Sequence, residues 1–586
     1  MKLINNILTI TLAAFSLVGC DSFLEDEIEF TSEEDILTSG FRSRGLINDI
    51  YSDYSFEYTR DFNVDYLTDN AVRSSGETDN TNLNWNSISS HPYDNIWARS
   101  YDNIRRIYEY IDLVHDTGLP FFPSEASSDS SDDIVQRYYG EAFFLKAWAE
   151  WELLKIYGGQ DENGNMLGFP IVDDLYEAED QNGDKTLKSE DFAQLSRNTY
   201  DECVNQIMED LQIAIDNLPL NYTGSDIGFN NVETGRASGL AAYALKAKVA
   251  LFAASPAFNT ENDITKWELA AEYAHDMIEI NGGLKSLQAI DNNRENNPDH
   301  LWRLRNSRSN NSLERALYPP TLYGQGDVNP SQNLVDAFPD SQGYPISDAN
   351  SSFDVLTPYA SRDSRFYKSI FYNADQCYSQ ETCDDFGSLE IFTGGQDNFG
   401  GFISDVGTRT GYYLKKFLNN LNFEPLAPGN PQTNDFKVYV QLGLTEVYLA
   451  YAEALNEISG PDTAPAGFNI SAKEALARVR QRAGFFLDPY LDEVSTNQSD
   501  FRNLVRNERR IELCFTGERF HDLRRWKEID NIENIKGTKV TKEADDSFTY
   551  LEIDVEERAY DQKNYYLPLP YTELLLNTNL KQNQGW

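Results

Sequence analysis

Apolar residues recur along most of this chain at spacings of three and four, the mark of helices with one buried face. The pattern predicts helices over 33–52 and 94–115; in the second, Ile96, Trp97, Ile104, Ile107, Tyr108 and Ile111 fall on one side. A longer helix is predicted over 133–157. There Tyr138, Ala142, Leu145, Ala149 and Ile156 form one face, and Tyr139, Phe143, Ala147, Trp151 and Leu154 a neighbouring one. An apolar arc that wide packs between other helices rather than on a surface. Helices follow over 197–218, closed by Pro219, over the Ala-rich 236–254, and over 267–280, ended by Asn281-Gly282-Gly283. Helices of roughly 15–20 residues joined by short turns suggest tetratricopeptide-type hairpins, although the repeat signature is degenerate.

From 284 to 435 the pattern breaks down. Asn, Gly, Pro, Ser and aromatics dominate, with short strand-like runs such as 368–372, which predicts a loop-rich face. Helical periodicity returns over 439–457, 472–482 and 501–515, and the tail from 565 to 586 reads as turns and loop. The expected fold is therefore mainly α, with helical hairpins supporting a loop-rich face and few short strands. Its division is an N-terminal helical part (20–290), a loop-rich part (291–435) and a C-terminal helical part with the tail (436–586), all within one domain.

Charge narrows the partners. The 586 residues carry 95 Asp and Glu against 49 Lys and Arg, a net charge of −46, which repels polyanions and excludes nucleic acid as a natural ligand. Aromatic content is high, with 34 Tyr, 33 Phe and 8 Trp, and such rings both fill cores and stack on ligands. Cys203 and Cys514 sit in apolar helical patterns, as buried free thiols do. Cys377 and Cys383 bracket a polar loop and could close a small disulfide outside the cytoplasm, metal binding being the weaker reading because no second Cys or His pair lies nearby.

The N-terminus points to export. Lys2 precedes an apolar run from Ile7 to Val18, too short to cross a bilayer but suited to a signal-peptide core over 1–19. Leu17-Val18-Gly19-Cys20 resembles a bacterial lipobox, which would place a lipid on Cys20; an ordinary export signal with a disulfide-bonded Cys20 is the alternative. The acidic run Asp21 to Glu27 resembles the signal that sends Bacteroidetes lipoproteins to the outer face of the outer membrane.

Several local blocks then accumulate in order. They include Arg137-Tyr138-Tyr139-Gly140-Glu141-Ala142, Gly235-Arg236-Ala237-Ser238, Ser331 to Pro339, and Tyr451-Ala452-Glu453-Ala454. The most specific runs from Asn507-Glu508-Arg509-Arg510 through Gly517-Glu518-Arg519-Phe520-His521-Asp522 to Trp526, and the chain ends on Gln582-Asn583-Gln584-Gly585-Trp586. With these blocks the chain resembles the SusD/RagB family over nearly all of its mature length. The resemblance implies a surface-exposed outer-membrane lipoprotein that binds nutrient, an oligosaccharide above all, for a SusC-like TonB-dependent transporter. It also implies that ligand-stacking aromatics come from the early polar segment and from the loops after the repeat helices. Here those regions offer Trp85, Tyr93, Tyr318 and Tyr323, with Asp65 and Tyr66 as further candidates. Trp302 belongs to the same set, although Leu301 and Leu304 beside it also suit a core position.

Two other constellations carry chemistry. Glu508, Glu512 and Glu518 stand among Arg509, Arg510, Arg519, Arg524 and Arg525; a glycosidase would use two such carboxylates, but dense arginine lowers carboxylate pKa and suits an ion-pair network instead. Asp180, Asn182, Asp184, Thr186 and Asp191 follow the one-three-five-seven-twelve spacing of a Ca²⁺ loop and resemble that of dockerins, although Lys185 replaces the usual turn glycine; a solvated acidic loop is the alternative. Four functions therefore compete: an oligosaccharide-binding protein, a peptide-binding homologue, a helical scaffold without a small ligand, and a surface glycoside hydrolase. The scattered histidines and the missing nucleophile and phosphate motifs argue against an enzyme.

Overall fold

In the computed structural model the described residues are 40–54, 62, 64–75, 93, 95–112, 128–172, 194–222, 235–289, 297–305, 311–322, 324–376, 388–398, 407–418, 438–532, 534–558 and 560–586. Ten helices build the frame: α1 (Gly40–Asp53), α2 (Ile96–Tyr110), α3 (Ser128–Tyr157), α4 (Tyr200–Asn217), α5 (Gly239–Ala254), α6 (Ile264–Ile280), α7 (Leu444–Ser459), α8 (Ala472–Ala483), α9 (Gln498–Glu512) and α10 (Glu518–Arg525). The fold is mainly α with short, separate two-stranded sheets, as expected.

The helix boundaries follow local chemistry. Thr199 and Glu202 form a reciprocal capping box at the start of α4, and Ser471 with Glu474 does the same for α8. Ser238 caps α5 by accepting from Ala241 N at 3.2 Å. Gly484, at φ +114°, ends α8 in the left-handed conformation that a side chain would resist. Successive helices pack pairwise, α3 on α4 and α5 on α6, and α7 joins the stack against α6. α5 is buried all round, its alanines letting the neighbouring axes approach closely. Together these helices enclose one large hydrophobic core.

The strands close what the helices leave open. β1 (His300–Arg305) pairs antiparallel with β2 (Val438–Gly443), with irregular register on either side of Trp302. Residues 438–443 alternate and form this strand, so the helix expected from 439 begins only at Leu444, behind Gly443. A hairpin that the helical pattern did not foretell, β3 (Ile535–Lys542) and β4 (Phe548–Glu556), lies across the loop-rich part. Its free edge is stitched down where Thr538 N donates to Thr410 O and Thr393 N to Val540 O, both at 2.8 Å. Gly411, at φ +85°, makes this approach possible, because a Cβ there would stand 2.4 Å from the Thr538 carbonyl oxygen. Beneath the hairpin lies a second, aromatic-rich core that includes Tyr359, Phe366, Tyr412 and Tyr413.

Candidate functional site

Where the two cores meet, the chain leaves a cavity of about 160 Å³. One wall is α3, which presents Trp148, Glu152 and Lys155 at helical spacing; α5 adds Lys248. The β1–β2 pair and the first turn of α7 form the roof, and the link from α9 to α10 brings Glu512, Glu518 and His521. Lys248 Nζ sits 2.8 Å from both Glu446 Oε1 and Glu518 Oε1. Tyr93 Oη lies 3.0 Å from His521 Nε2, and Lys416 Nζ donates to the Glu512 and Cys514 carbonyls at 2.7 and 2.8 Å.

The electrostatics set these carboxylates apart. Burial pushes Glu446 up, and the neighbouring Glu518 charge adds to it. Glu518 is held well below the carboxylate range: burial opposes this, but Lys248 and Lys155 prevail. Burial, helped by Lys155, keeps His521 well below the usual imidazole value. Around the cavity runs a network of buried ion pairs. Arg365 Nη1 lies 2.6 Å from Glu508 Oε2 and 2.8 Å from Glu512 Oε1, Arg480 Nη1 lies 2.5 Å from Glu508 Oε1, and Arg482 pairs with Glu512. Glu508 is depressed: burial raises it, and Arg365 and Arg480 pull it down. The expected ion-pair network is present, but its partners come from distant segments. Of the adjacent arginines, Arg509 reaches Glu518 at 3.9 Å but lies closer to Asp522, Arg510 and Arg519 go to Asp69, and Arg525 goes to Glu453. A set of carboxylates held this way positions helices, and its depressed members are poor proton donors at neutral pH.

Among the described residues expected to contact ligand, only Tyr93 lines this cavity, through a ring that is itself buried. Four others lie in the interior. Asp65 is fully buried, its Oδ1 accepting from Asn70 Nδ2 at 2.8 Å. Tyr66 and Tyr318 are buried in the aromatic core. Trp302 packs edge-on against Tyr54, Phe144 and Trp148, so it is a core residue and offers no stacking face. The reason is topological. Residues 71–73 pair with 328–330, and Arg558 and Arg510 donate to carbonyls of 66–71, pulling the early polar segment inward. Trp85, Tyr323, Cys20, Cys377, Cys383 and the Asp180–Asp191 loop lie outside the described residues. Among the described residues no group of three or more His, Cys, Asp or Glu is placed to hold a metal, and no helix is long and apolar enough to cross a membrane. Cys203 and Cys514 are buried free thiols. Sequence reasoning missed Lys248 and Glu446; two lysines, Lys246 and Lys248, in an otherwise apolar helix were the available signal.

A family model described as the SusD family matches residues 287–586. This chain belongs to the SusD family. A second model, described as starch-binding associating with outer membrane, matches residues 23–251. SusD-like protein P25 of Formosa agariphila is 22% identical over 99% of this chain and 98% of its own length. SusD-like protein P2 of the same organism is 28% identical over a stretch that spans 26% of this chain and 27% of that protein. Among solved structures, a SusD-like protein of Bacteroides fragilis aligns with a TM-score of 0.71 at 22% identity, covering 96% of this chain and all of that one. A SusD-like carbohydrate-binding protein of the same species aligns at 0.68 and 18% identity, covering 93% of this chain and all of that one. At these identities the structural likeness is one of SusD fold.

Proposed function

We propose that this protein captures an oligosaccharide at the cell surface and passes it, chemically unchanged, to a SusC-like TonB-dependent transporter. It would be held at the outer membrane by lipid on Cys20. The observation that carries this reading is the consecutive match of two family models over 23–251 and 287–586, one of them described as starch-binding associating with outer membrane. The carbohydrate-binding label of one SusD-like structure supports the ligand class. Physical chemistry supports the absence of turnover, because Glu508 and Glu518, which a hydrolase reading would need as proton donors, are held ionised by buried cations.

A peptide ligand is the second reading, favoured by the mixed charge of the cavity; there, however, Lys248 and its two glutamates answer one another. The test is isothermal calorimetry on the mature protein with neutral hexasaccharides and, separately, with a tryptic peptide mixture. Binding of a hexasaccharide without cleavage is expected. Binding of peptides alone would replace the glycan with a peptide, and release of shorter sugars would overturn the non-catalytic reading. Recovery of a barrel partner from native membranes checks the transporter half of the proposal, and loss of membrane anchoring in Cys20→Ala, in cells lacking that partner, checks the lipid.

A further inference from the structure

The packed interface of α3 and α4 holds a polar cluster that the ion pairs around the cavity do not include. Lys146 and Glu150 stand one turn apart on α3, and Asp210 faces them from α4. Lys146 Nζ lies 2.7 Å from Glu150 Oε1 and 2.6 Å from Asp210 Oδ2. The three side chains are sealed from solvent, at 1%, 1% and 3% exposure. Among the described lysines Lys146 is the most deeply buried. Gln206, one turn before Asp210, donates from Nε2 to both carboxylate oxygens at 3.3 Å. Lys248 with Glu446 and Glu518 has a similar composition, but that trio borders the cavity, whereas this one is enclosed by packed helix.

Such a site discourages a net charge. Burial pushes Glu150 well above the carboxylate range; Lys146 opposes this, and the Asp210 charge and a hydrogen bond between the two carboxyls add to the rise. Burial also opposes the charge of Lys146, but Glu150 and Asp210 prevail and keep it an ammonium. The resting cluster is therefore an ammonium and a carboxylate in contact, with a neutral acid beside them. A nucleophile, an acyl carbon and a proton carrier thus stand within hydrogen-bond reach of one another. Holding them in contact within one fold does the work of a high local concentration.

We infer that Lys146 and Asp210 join covalently, through an amide between Nζ and Cγ that locks α3 to α4, with Glu150 carrying the protons. One Nζ proton first passes to Asp210 Oδ2 across their contact, leaving an amine and an acid. The Nζ lone pair attacks Cγ, and the N–C bond forms as the C=O pair opens onto oxygen. Glu150 takes the spare Nζ proton on Oε1 and gives its own to that oxygen, so Cγ carries two hydroxyls. One hydroxyl leaves with the C–O electron pair and the proton of the other, as water, and the carbonyl reforms. Nothing is oxidised or reduced, and Glu150 ends as it began. The product replaces two buried charges with a neutral amide, and the closed packing keeps out the water that would reverse the step. The bond belongs to the frame and does not depend on the ligand class proposed above.

The experiment unfolds the whole mature protein, digests it with trypsin and maps the peptides by mass spectrometry. A free Lys146 is a cleavage site, and an acylated one is not. The expected product joins residues 138–155, uncut at Lys146, to residues 198–236, and is lighter than the two peptides together by one water. Recovery of 138–146 and 198–236 as separate peptides, with no joined product, would overturn the proposal. This wild-type result decides the matter even where a variant fails to fold. Lys146→Arg, which keeps the charge, and Asp210→Ala should each abolish the joined product. Glu150→Gln should slow its formation by about a hundredfold. A joined product that survives in Asp210→Ala would overturn the assignment of the acyl carbon, and an equal rate in Glu150→Gln would overturn the role of Glu150.

Discussion

The helical frame and the loop-rich part solve the same problem with different materials. The frame is aliphatic and alanine-rich: α5 buries Ala241, Ala242, Ala244 and Ala247 against its neighbours, so the axes sit close and each residue has a place set by helical period. The loop-rich part has no period to exploit. It fills irregular space with large rings, Tyr359, Phe366, Tyr372 and Tyr412 in mutual contact, and satisfies its backbone through buried polar hubs. Asp340 is such a hub: its carboxylate accepts from the amides of Gln342, Tyr344 and Ser352 and from the Ser351 and Ser352 hydroxyls. The aromatic core reaches the frame through Ile511 and Phe515, and charge adds a second joint. Arg365, in the loop-rich part, holds Glu508 and Glu512 of α9. The difference teaches that periodic cores tolerate being read one helix at a time, whereas an aperiodic one is specified by partners far apart in the chain.

The largest expected effect comes from cutting that joint. Arg365 is 2% exposed and also bonds Asp363, so Arg365→Ala takes a partner from three buried carboxylates, of which Glu508 keeps Arg480 and Glu512 keeps Arg482. Breaking a buried pair by removing one partner costs about 3–5 kcal/mol. Urea unfolding followed by near-ultraviolet circular dichroism should show that loss. Limited proteolysis should cut within 311–418 while the α3–α6 helices survive. Equal protection of both parts in the variant would mean that the charge network does not hold them together.

Acid should loosen the buried ion pairs of the frame without mutation. Glu453, bonded to Arg525 at 2.6 Å, is depressed from 4.5 to about 2; burial opposes this, and Arg525 and Arg509 drive it. A carboxylate depressed on folding contributes stability that is complete above its unfolded pKa and disappears as pH falls through the folded one. This window runs from about 4.5 down to 2 and is worth on the order of 3 kcal/mol for Glu453. Glu508 and Asp340 act with the same sign. Glu446, raised by burial, acts in reverse: its contribution is present below the unfolded pKa and is lost as pH rises through its folded value. Melting temperature should therefore fall steeply below about pH 4.5, with a smaller fall for Glu453→Gln because that residue no longer titrates; an unchanged pH profile in Glu453→Gln would reject the assignment.

The aliphatic frame should respond to volume rather than charge. Ala242 is fully buried on α5, so Ala242→Leu must force neighbouring axes apart, at a cost of about 1–3 kcal/mol. A variant as stable as the wild type would show that the alanine-rich packing has slack, and would weaken the contrast with the aromatic core.

The helices were legible because their apolar positions repeat and their caps are local. The predicted 133–157, 197–218, 236–254 and 472–482 correspond to α3, α4, α5 and α8 within a few residues at the ends, apart from the earlier start of α3. The ion-pair role of Glu508, Glu512 and Glu518 was legible as well, from local charge density. Their partners were not, because Arg365, Arg480 and Lys248 lie as far as 270 residues away and no spacing marks them. Strand β2 was read as the start of a helix because Tyr439 to Gly443 runs straight into α7; only its pairing with β1 separates the two. The burial of Tyr66 and Tyr318 was not legible for the related reason that exposure is a tertiary property: both end beneath the loops.

The smallest effect expected is at the caps, and it separates local from distant specification. Thr199 Oγ1 accepts from Glu202 N at 3.2 Å, and the Glu202 carboxylate accepts from Thr199 N at 2.8 Å, all of it near the surface of α4. Thr199→Ala removes the side-chain acceptor and leaves one amide at the helix start to water, a loss of about 1 kcal/mol. Because the contact is local, the loss should be confined to α4. Hydrogen exchange should speed up in the first turn of α4 and leave the aromatic core and β3–β4 unchanged. If exchange rises equally in 359–373, the cap is coupled to the loop-rich part, and the two regions are not specified as independently as their cores imply.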